Sequence, residues 1–508
     1  MNRIATQAAL ALTLVSAASA QEKAADAPEG PKPERSVTRH EVAIGGQSVA
    51  YEATAGYLIL ESAEEKPVAK FGYTAYVREG ADPARRPVTF AYNGGPGSAS
   101  IWLHMGVLGP RRVVVADAEF TLPPPYQRVD NEHGILDVSD LVMIDPVGTG
   151  YSRPIGDAKG ADFWGVDQDI DSVSRFIKAW VTENGRWASP KILLGESYGG
   201  MRSGGVAWAL LSQHGMALNG VVLVSPFMAM VEGFDGLGVD LPHVLFLPTL
   251  AATAWYHEAI ESRPEDLAAF VEEVKGFAYD RYAPALLKGS RLGAEERAAV
   301  LARLARYTGV SETYWDRANL RVNHTQFVKE LLRDRRQQAG RIDSRFVGRS
   351  FNLLGESMSY DPFNASVAAA FTGAFLDYYH GELEFGRDLD YHVSGQLWQQ
   401  WDWSHSTPGI GLFGPQKLPF PNTAVDLAHA MGQNPNMKLL VQQGYYDLAT
   451  PQAATEYALD HMDLLPEQRA NITLEYYEAG HMMYLHPPSL VKYKQDLARF
   501  ILDACGGD

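Results

Sequence analysis

The sequence predicts an α/β fold in which a long helical segment interrupts the alternation of strands and helices. Short apolar runs typical of buried parallel strands occur at 141–144, 191–194 and 220–224, with helical patterns between them. From about 241 to 418 the strand pattern gives way to helical spacing of apolar residues. The strand pattern returns at 438–443. We therefore expect one sheet-based core, interrupted by an insertion and completed by the last hundred residues.

The first segment of the chain has the pattern of an export signal. Arg3 precedes an apolar run at 8–15, and Ala18-Ser19-Ala20 has the small residues that signal peptidases accept. We expect cleavage near Ala20 and export to the periplasm or medium. A retained membrane anchor is the alternative, although the run is shorter than the roughly 20 residues that span a bilayer. Residues 21–36 are predicted to form a flexible leader because they have no aromatic residues to bury.

The remaining elements follow in order from the same patterns. Alternating or apolar runs broken by turn residues predict hairpin strands at 40–44, 56–60, 71–77 and 87–92. The predicted organisation is a first α/β core segment at 37–240, a helical cap insertion at 241–418 and a second core segment at 419–508. The second core segment contains the strand 438–443, a helix at 452–462, the strand 472–477 and a closing helix near 489–503.

Composition indicates a globular protein and argues against several kinds of partner and site. The 508 residues are 46% hydrophobic and 21% charged, with a formal net charge of −17. This charge repels phosphate backbones, so nucleic-acid binding is not expected. The one cysteine, Cys505, excludes an internal disulfide and multi-cysteine metal sites. We predict no cofactor, no metal and no stable membrane insertion, and the oligomeric state is left open.

The strongest chemical signal is the pentapeptide Gly195-Glu196-Ser197-Tyr198-Gly199. It follows the predicted strand 191–194 and precedes a helical pattern. A sharp strand-to-helix turn of this kind lifts a serine hydroxyl out of a sheet, and the glycines avoid clashes in the turn. An ordinary glycine-rich loop is the alternative interpretation. The context favours Ser197 as a catalytic nucleophile.

A serine nucleophile needs a base and an acid, which we expect at later strand ends in the order Ser, Asp, His. Asp447 follows the strand 438–443, and His481 follows the strand 472–477 beside a glycine. These two residues are the predicted acid and base. Their competitors lie in or after a helical pattern or beside prolines, namely Asp460, Asp463, His461 and His486.

Two glycine-containing segments follow other strands. Asn93-Gly94-Gly95-Pro96-Gly97 exposes backbone N–H groups, and we expect Gly95 and Tyr198 to supply an oxyanion hole through their N–H groups. As an alternative, such a loop is only a turn. The segment 145–152 lacks the third glycine and the Lys-Ser/Thr of phosphate loops, so we expect it to shape the pocket.

Four motifs together resemble the serine carboxypeptidases, a family with the α/β-hydrolase fold. They are Asn-Gly-Gly-Pro-Gly at 93–97, Asp-Pro-Val-Gly-Thr-Gly-Tyr-Ser at 145–152, Gly-Glu-Ser-Tyr-Gly at 195–199 and Gly-His-Met at 480–482. The resemblance implies an α/β-hydrolase sheet with a helical cap and release of the C-terminal residue of a peptide through an acyl-enzyme on Ser197. It also implies that Asn93, Gly94 and Glu196 bind the substrate's terminal carboxylate.

Three positions depart from the family pattern. Ala91 stands where the family has a Trp near the carboxylate, Ser98 replaces a usual Cys, and Tyr484 stands where a Pro is common. Ala91 bears on exopeptidase geometry, whereas none of the three is a member of the predicted Ser, Asp and His set.

The pairing of Glu196 with a substrate carboxylate predicts activity at acidic pH. A carboxylic acid donates a hydrogen bond to a carboxylate only while it is protonated, and protonation of the base limits activity at the low end. Peptides with a free C-terminus are the expected substrates. A proline-type aminopeptidase, an esterase or acyltransferase on the same fold, and an inactive binding protein remain alternatives.

Overall fold

The protein is described from a computed structural model that covers residues 31–233, 236, 238–409 and 416–506. The predicted export signal and most of the predicted leader lie outside these residues. The first strand begins at Glu34, so the last three residues of the predicted leader belong to a strand. From Pro33 onward the described residues form one compact unit.

A ten-stranded mixed sheet forms the centre of this unit in the described chain. Its strands are β1 (Glu34–Ile44), β2 (Gln47–Glu61), β3 (Pro67–Arg78), β4 (Val88–Tyr92), β7 (Asp140–Ile144), β8 (Arg153–Pro154), β9 (Lys191–Glu196), β10 (Gly220–Val224), β15 (Lys438–Gly444) and β16 (Ile472–Tyr477). Three antiparallel pairs lie outside it: β5 (Arg111–Val113) with β6 (Arg128–Asp130), β11 (Gln337–Ala339) with β12 (Val347–Arg349), and β13 (His405–Thr407) with β14 (Gln416–Leu418).

The order of strands is β1-β2-β3-β7-β4-β9-β10-β15-β16, with β8 paired to β3. The first three strands are antiparallel, and β7, β4, β9, β10, β15 and β16 run parallel to one another. The run at 87–92 was predicted as a hairpin strand, and this prediction is wrong. It forms β4, a central parallel strand whose five residues are all buried, as expected where helices cover both faces.

Fourteen α-helices accompany these strands in the described chain. They are α1 (Ile101–Leu103), α2 (Val166–Glu183), α3 (Tyr198–His214), α4 (Leu241–Tyr256), α5 (Leu267–Phe277), α6 (Ala283–Lys288), α7 (Ala294–Thr308), α8 (Glu312–Arg317), α9 (His324–Glu330), α10 (Pro362–Gly381), α11 (Ala424–Gln433), α12 (Gln452–Asp460), α13 (Pro466–Arg469) and α14 (Pro487–Cys505).

The side chains of the central strands alternate between two hydrophobic cores, one on each face. Leu193 of β9 packs in a core with Phe176 of α2 and Leu210 of α3. Leu194 packs in the opposite core with Leu497 of α14. This alternation follows from the period of two along a strand. The α/β fold with its parallel sheet is therefore confirmed.

The segment between β10 and β15 is mostly helical, as predicted, but it differs from the expectation in two ways. It contains the short pairs β11–β12 and β13–β14, and its helix α10 packs on the sheet core rather than apart from it. The Tyr379 hydroxyl at the end of α10 lies 2.7 Å from the Thr74 hydroxyl of β3. Most of its other helices share a separate core that includes Leu247, Leu304 and Trp315. Among the described helices, none has the length and apolar character of a membrane span.

Candidate active site

Ser197 lies at a strained turn between β9 and α3. Its backbone has φ 63° and ψ −127°, a region that non-glycine residues rarely occupy. The turn is fixed by its own backbone, since Ser197 N donates to Val224 O at 3.0 Å and Ser197 O accepts from Phe227 N at 3.0 Å. A Cβ on Gly195 would lie 2.2 Å from Gly199 O, so only glycine fits at position 195. Ser197 is partly exposed among buried neighbours.

Asp447 and His481 meet because β15 and β16 are neighbouring parallel strands. Each residue follows the carboxyl end of its strand, and Asp447 Oδ2 lies 2.8 Å from His481 Nδ1. Asp447 is fully buried, and its other oxygen accepts from the backbone N–H groups of Ala449 and Thr450 at 2.8 and 3.0 Å. The Thr450 hydroxyl donates to Asp447 Oδ2 at 2.7 Å. Sequence reasoning missed Thr450.

The pKa of His481 is raised above its usual value. Burial of the imidazole acts against the charged form, but the carboxylates of Asp447 and Glu196 outweigh it. Ser197 and His481 line the same cavity, which has a volume of about 520 Å³. No hydrogen bond between their side chains is present in the part of the chain that the structure describes. Catalytic hydrogen bonds of this kind often tighten only in the complex with substrate.

The same cavity contains Asn93 and Glu196. Asn93 Nδ2 donates to Glu196 Oε1 at 2.7 Å, and the Tyr484 hydroxyl donates to Glu196 Oε2 at 2.6 Å. Asn93 is itself held because its Oδ1 accepts from Leu103 N at 3.0 Å. Burial raises the pKa of Glu196 to about 7, so its carboxyl is protonated at acidic pH. The sequence marked Tyr484 as a departure from the family but offered no indication of this hydrogen bond.

Gly94 and Gly95 lie against the turn that holds Ser197. A Cβ on Gly94 would lie 2.5 Å from Tyr198 N and 2.7 Å from Glu196 O, so only glycine fits there. Gly95 has φ 109°, which also favours glycine. Gly95, Ser197 and Tyr198 together line a second cavity of about 500 Å³. The two predicted donors of an oxyanion hole are therefore brought to Ser197.

A buried arginine lies beneath this loop. Arg202 of α3 donates through Nη1 to Asn93 O at 2.7 Å and through Nε to Asp169 Oδ2 at 2.8 Å. Its guanidinium lies over the rings of Tyr92 and Tyr198, at 5.1 and 5.3 Å from their centroids. Arg202 therefore fixes the peptide plane that leads into Gly94. It is absent from the sequence prediction because an arginine in a helix pattern is usually exposed.

The two cavities meet at Ser197 and Gly95, which line both of them. Arg341 and Ile342, from the segment between β10 and β15, line both. The first cavity also has Trp102, Phe363 and Asn364 in its walls. The second has a largely apolar lining that includes Phe227, Met230, Phe246 and Trp398. No motif marks this segment, so the sequence contains no signal for Arg341.

The competing residues lie apart from these cavities. His461 is exposed and contacts Tyr457 O, and Asp460 pairs with Arg469. His486 contacts Ser489, and Asp463 is exposed.

The segment 145–152 is buried. It contacts the residues that follow the loop 93–97, where Asp145 Oδ1 accepts from Ser100 N at 2.8 Å. Among the described residues, no group of three or more His, Cys, Asp or Glu is placed to hold a metal ion.

Comparison with known proteins relates this geometry to a family. The sequence model described as "Serine carboxypeptidase" matches residues 45–266. No curated protein matches the chain significantly. Among solved structures, the prohormone-processing carboxypeptidase Kex1 of Saccharomyces cerevisiae has 16% identity and a TM-score of 0.55, with 89% of this chain and 91% of that chain covered. A proline iminopeptidase of Mycobacterium smegmatis has 16% identity and a TM-score of 0.35, with 93% and 100% covered.

The family match contains three strand-end segments, 93–97, 145–152 and 195–199, and the likeness to the Kex1 structure shows the fold alone. The resemblance to the serine carboxypeptidases is thereby confirmed over residues 45–266, and the α/β-hydrolase fold is confirmed for the described chain.

Proposed function

We propose that this protein is an exported serine carboxypeptidase that removes the C-terminal residue of peptides through an acyl-enzyme on Ser197 and acts best at acidic pH. The observation that carries the proposal is the Asn93–Glu196 pair, held within hydrogen-bond distance in the cavity that Ser197 and His481 also line. The side-chain amide of Asn93 and the protonated carboxyl of Glu196 are suitable donors for a terminal carboxylate.

In the proposed reaction, Ser197 Oγ attacks the carbonyl carbon of the last peptide bond and gives its proton to His481. Asp447 holds the imidazole through Nδ1 and stabilises its charged form. The N–H groups of Gly95 and Tyr198 stabilise the negative oxygen of the intermediate.

The C–N bond then breaks, and His481 returns the proton to the departing amine. Water activated by His481 hydrolyses the acyl-serine, which releases the shortened peptide and restores Ser197.

The pH preference follows from two groups with opposite requirements. His481 acts as a base only when neutral, and Glu196 donates to a carboxylate only when protonated. Because the pKa of Glu196 is about 7, its protonated form is lost as the pH rises through neutrality. Protonation of Glu196 also removes one of the two carboxylates that raise the pKa of His481, so His481 stays neutral further below pH 7 than it would beside an ionised Glu196. The active form is therefore expected on the acidic side of pH 7, and protonation of His481 limits it at the low end.

The first experiment compares blocked dipeptides that have a free C-terminus with the same peptides as C-terminal amides. We expect release of the last residue from the acids and little from the amides, because the amide removes the charge that Asn93 and Glu196 recognise. Simple esters and proline anilides are tested in parallel. Cleavage of esters or anilides without release from any free-acid peptide would contradict the proposal.

Two variants test the role of Ser197. Ser197→Ala is expected to lower kcat by at least about 10⁴-fold, as for other nucleophilic serines. Ser212→Ala is the matched control, because Ser212 is an exposed serine of α3, the helix that follows Ser197, and its hydroxyl contacts Trp208 O. Acid quenching during turnover, followed by mass spectrometry, should find the acyl group on the tryptic peptide that contains Ser197. N-terminal sequencing of protein recovered after export should begin at Gln21.

A further inference from the structure

We propose that Arg341 gives this enzyme a preference for peptides whose last residue has an acidic side chain, Asp or Glu. This inference rests on the proposed function, because it assigns the departing residue to the cavity that contains Asn93 and Glu196. Arg341 is proposed to bind the side chain of that residue, whereas Asn93 and Glu196 are proposed to bind its terminal carboxylate.

The backbone of Arg341 is fixed next to the reacting groups. Its N–H donates to Asp361 Oδ2 at 3.2 Å, and its carbonyl accepts from the N–H of Leu448 at 3.0 Å. Leu448 directly follows Asp447, and His481 N donates to the carbonyl of Ile342 at 2.8 Å. Arg341 is thus tied through its main chain to the two loops that carry the proposed acid and base. Replacing its side chain leaves these hydrogen bonds in place.

The guanidinium of Arg341 is available to a ligand. The side chain is half-buried and lines the cavity, and among the described residues it forms no ion pair with a carboxylate, although its charge acts on the nearby carboxyl of Asp361. Most partly buried arginines of this chain differ in this respect. Arg111, Arg128 and Arg321, for example, each pair with at least one carboxylate.

The charge balance of the first cavity favours an anion. Its ionisable lining groups are Glu196, Arg341 and His481. In the proposed active form Glu196 is protonated and His481 is neutral, so Arg341 contributes the only net charge of that lining. A planar guanidinium binds carboxylates with two parallel hydrogen bonds, which gives it both strength and direction. Asn364 of α10 lines the same cavity and adds an amide donor.

The second cavity accommodates the other side of the scissile bond. It lacks Asn93 and Glu196, and although His324 and Thr325 contribute polar groups, most of its lining is apolar, with Phe227, Met230 and Trp398 among its walls. It therefore fits the apolar side chain of the residue that forms the acyl-enzyme. Arg341 also borders this cavity, but an acidic side chain there would lose solvation against apolar walls. We therefore place the acidic residue at the C-terminus and an apolar residue before it.

The test compares isosteric pairs of blocked dipeptides at about pH 6, where side-chain carboxyls are ionised. One pair varies the departing residue, with Leu-Glu against Leu-Gln. The other varies the acyl residue, with Glu-Leu against Gln-Leu. For wild type we expect a higher kcat/KM for Leu-Glu than for Leu-Gln, and the reverse preference or none in the second pair.

Arg341→Gln should lower the Leu-Glu to Leu-Gln ratio of kcat/KM by about tenfold, the scale of one charge-assisted hydrogen bond. Arg341→Lys should retain part of the preference, and its ratio should fall when salt is raised. Arg349→Gln is the matched control, since Arg349 is an exposed arginine of β12 outside both cavities. It should leave the ratio unchanged.

Each outcome is decisive. An unchanged Leu-Glu to Leu-Gln ratio in Arg341→Gln overturns the inference, as does an effect confined to the Glu-Leu and Gln-Leu pair. Wild type that releases leucine but does not distinguish Glu from Gln also overturns it, while the proposed function stands. Wild type that releases no C-terminal residue from any peptide refutes the proposed function itself.

Discussion

Replacement of Glu196 by Gln tests the proposed recognition of the substrate's carboxylate. The amide keeps the size of the side chain and donates a hydrogen bond at every pH. Its oxygen still accepts from Asn93 Nδ2, and its nitrogen lies where the Tyr484 hydroxyl can accept. The variant therefore removes ionisation from this position while leaving hydrogen bonding intact.

The magnitude follows from the pKa of Glu196. A pKa of about 7, against an ordinary value of 4.5, means that burial disfavours the ionised form by roughly 3 kcal/mol. Above pH 7 the protonated fraction of wild type falls about tenfold per pH unit. We expect kcat/KM of wild type to fall in the same proportion, with a midpoint near pH 7. In Glu196→Gln this alkaline decline is absent, and the decline at low pH remains because His481 still titrates.

Stability gives a second readout with a defined sign. A carboxyl whose pKa is raised on folding contributes stability below its unfolded pKa, and that stability is lost as pH rises through the folded pKa. Wild type should therefore lose on the order of 3 kcal/mol of unfolding free energy between pH 4.5 and 8 that Glu196→Gln does not lose. Urea denaturation at the two pH values measures the difference between the proteins.

The control is Glu467→Gln, an exposed carboxyl of α13, which should keep the wild-type profile. If Glu196→Gln shows the same decline near pH 7 as wild type, another group controls it. Glu196 then has no part in binding the terminal carboxylate.

Two further predictions concern the support of the site. Gly94→Ala should lower kcat/KM by about 10²-fold, because a Cβ 2.5 Å from Tyr198 N displaces the loop that carries an oxyanion donor. The control is Gly276→Ala, which should have wild-type kinetics because a Cβ at this position meets nothing within 4 Å. Asp169→Asn should lower the free energy of unfolding by about 3 to 5 kcal/mol in urea denaturation, since it leaves Arg202 buried without its carboxylate. Asp171→Asn, which breaks an exposed pair on the same helix, should change it by less than about 1 kcal/mol, and equal effects would contradict the argument.

The strand ends that form the site were predictable from the sequence, because each apolar run is followed within a few residues by the side chains that were assigned a catalytic role. The runs at 191–194, 438–443 and 472–477 form β9, β15 and β16, and the structure brings the residues that follow them together. The roles of Ser197 and its partners stay predictions. Asn93 and Glu196 were predicted to act together only from the family resemblance, because neither composition nor periodicity relates these two residues to each other.

The contacts that the sequence missed are those made between distant segments. Tyr484 reaches Glu196, and Arg202 reaches Asn93 and Asp169, through side chains whose local patterns are those of ordinary helices and turns. Arg341 lies in a segment without motifs. The pairs β11–β12 and β13–β14 have three residues per strand, too few to show a period. β4 was misassigned because an apolar run alone does not tell parallel from antiparallel pairing.

The pairing of β10 with β15 has a consequence for the newly made chain. These strands are neighbours in the sheet, yet the whole inserted segment lies between them in sequence. His481 is added about 280 residues after Ser197, which at ribosomal rates takes on the order of half a minute. Under the proposed roles, the nascent polypeptide holds a nucleophile without a base throughout that time. Peptide hydrolysis then begins only after translation of β16 and of His481, which follows it.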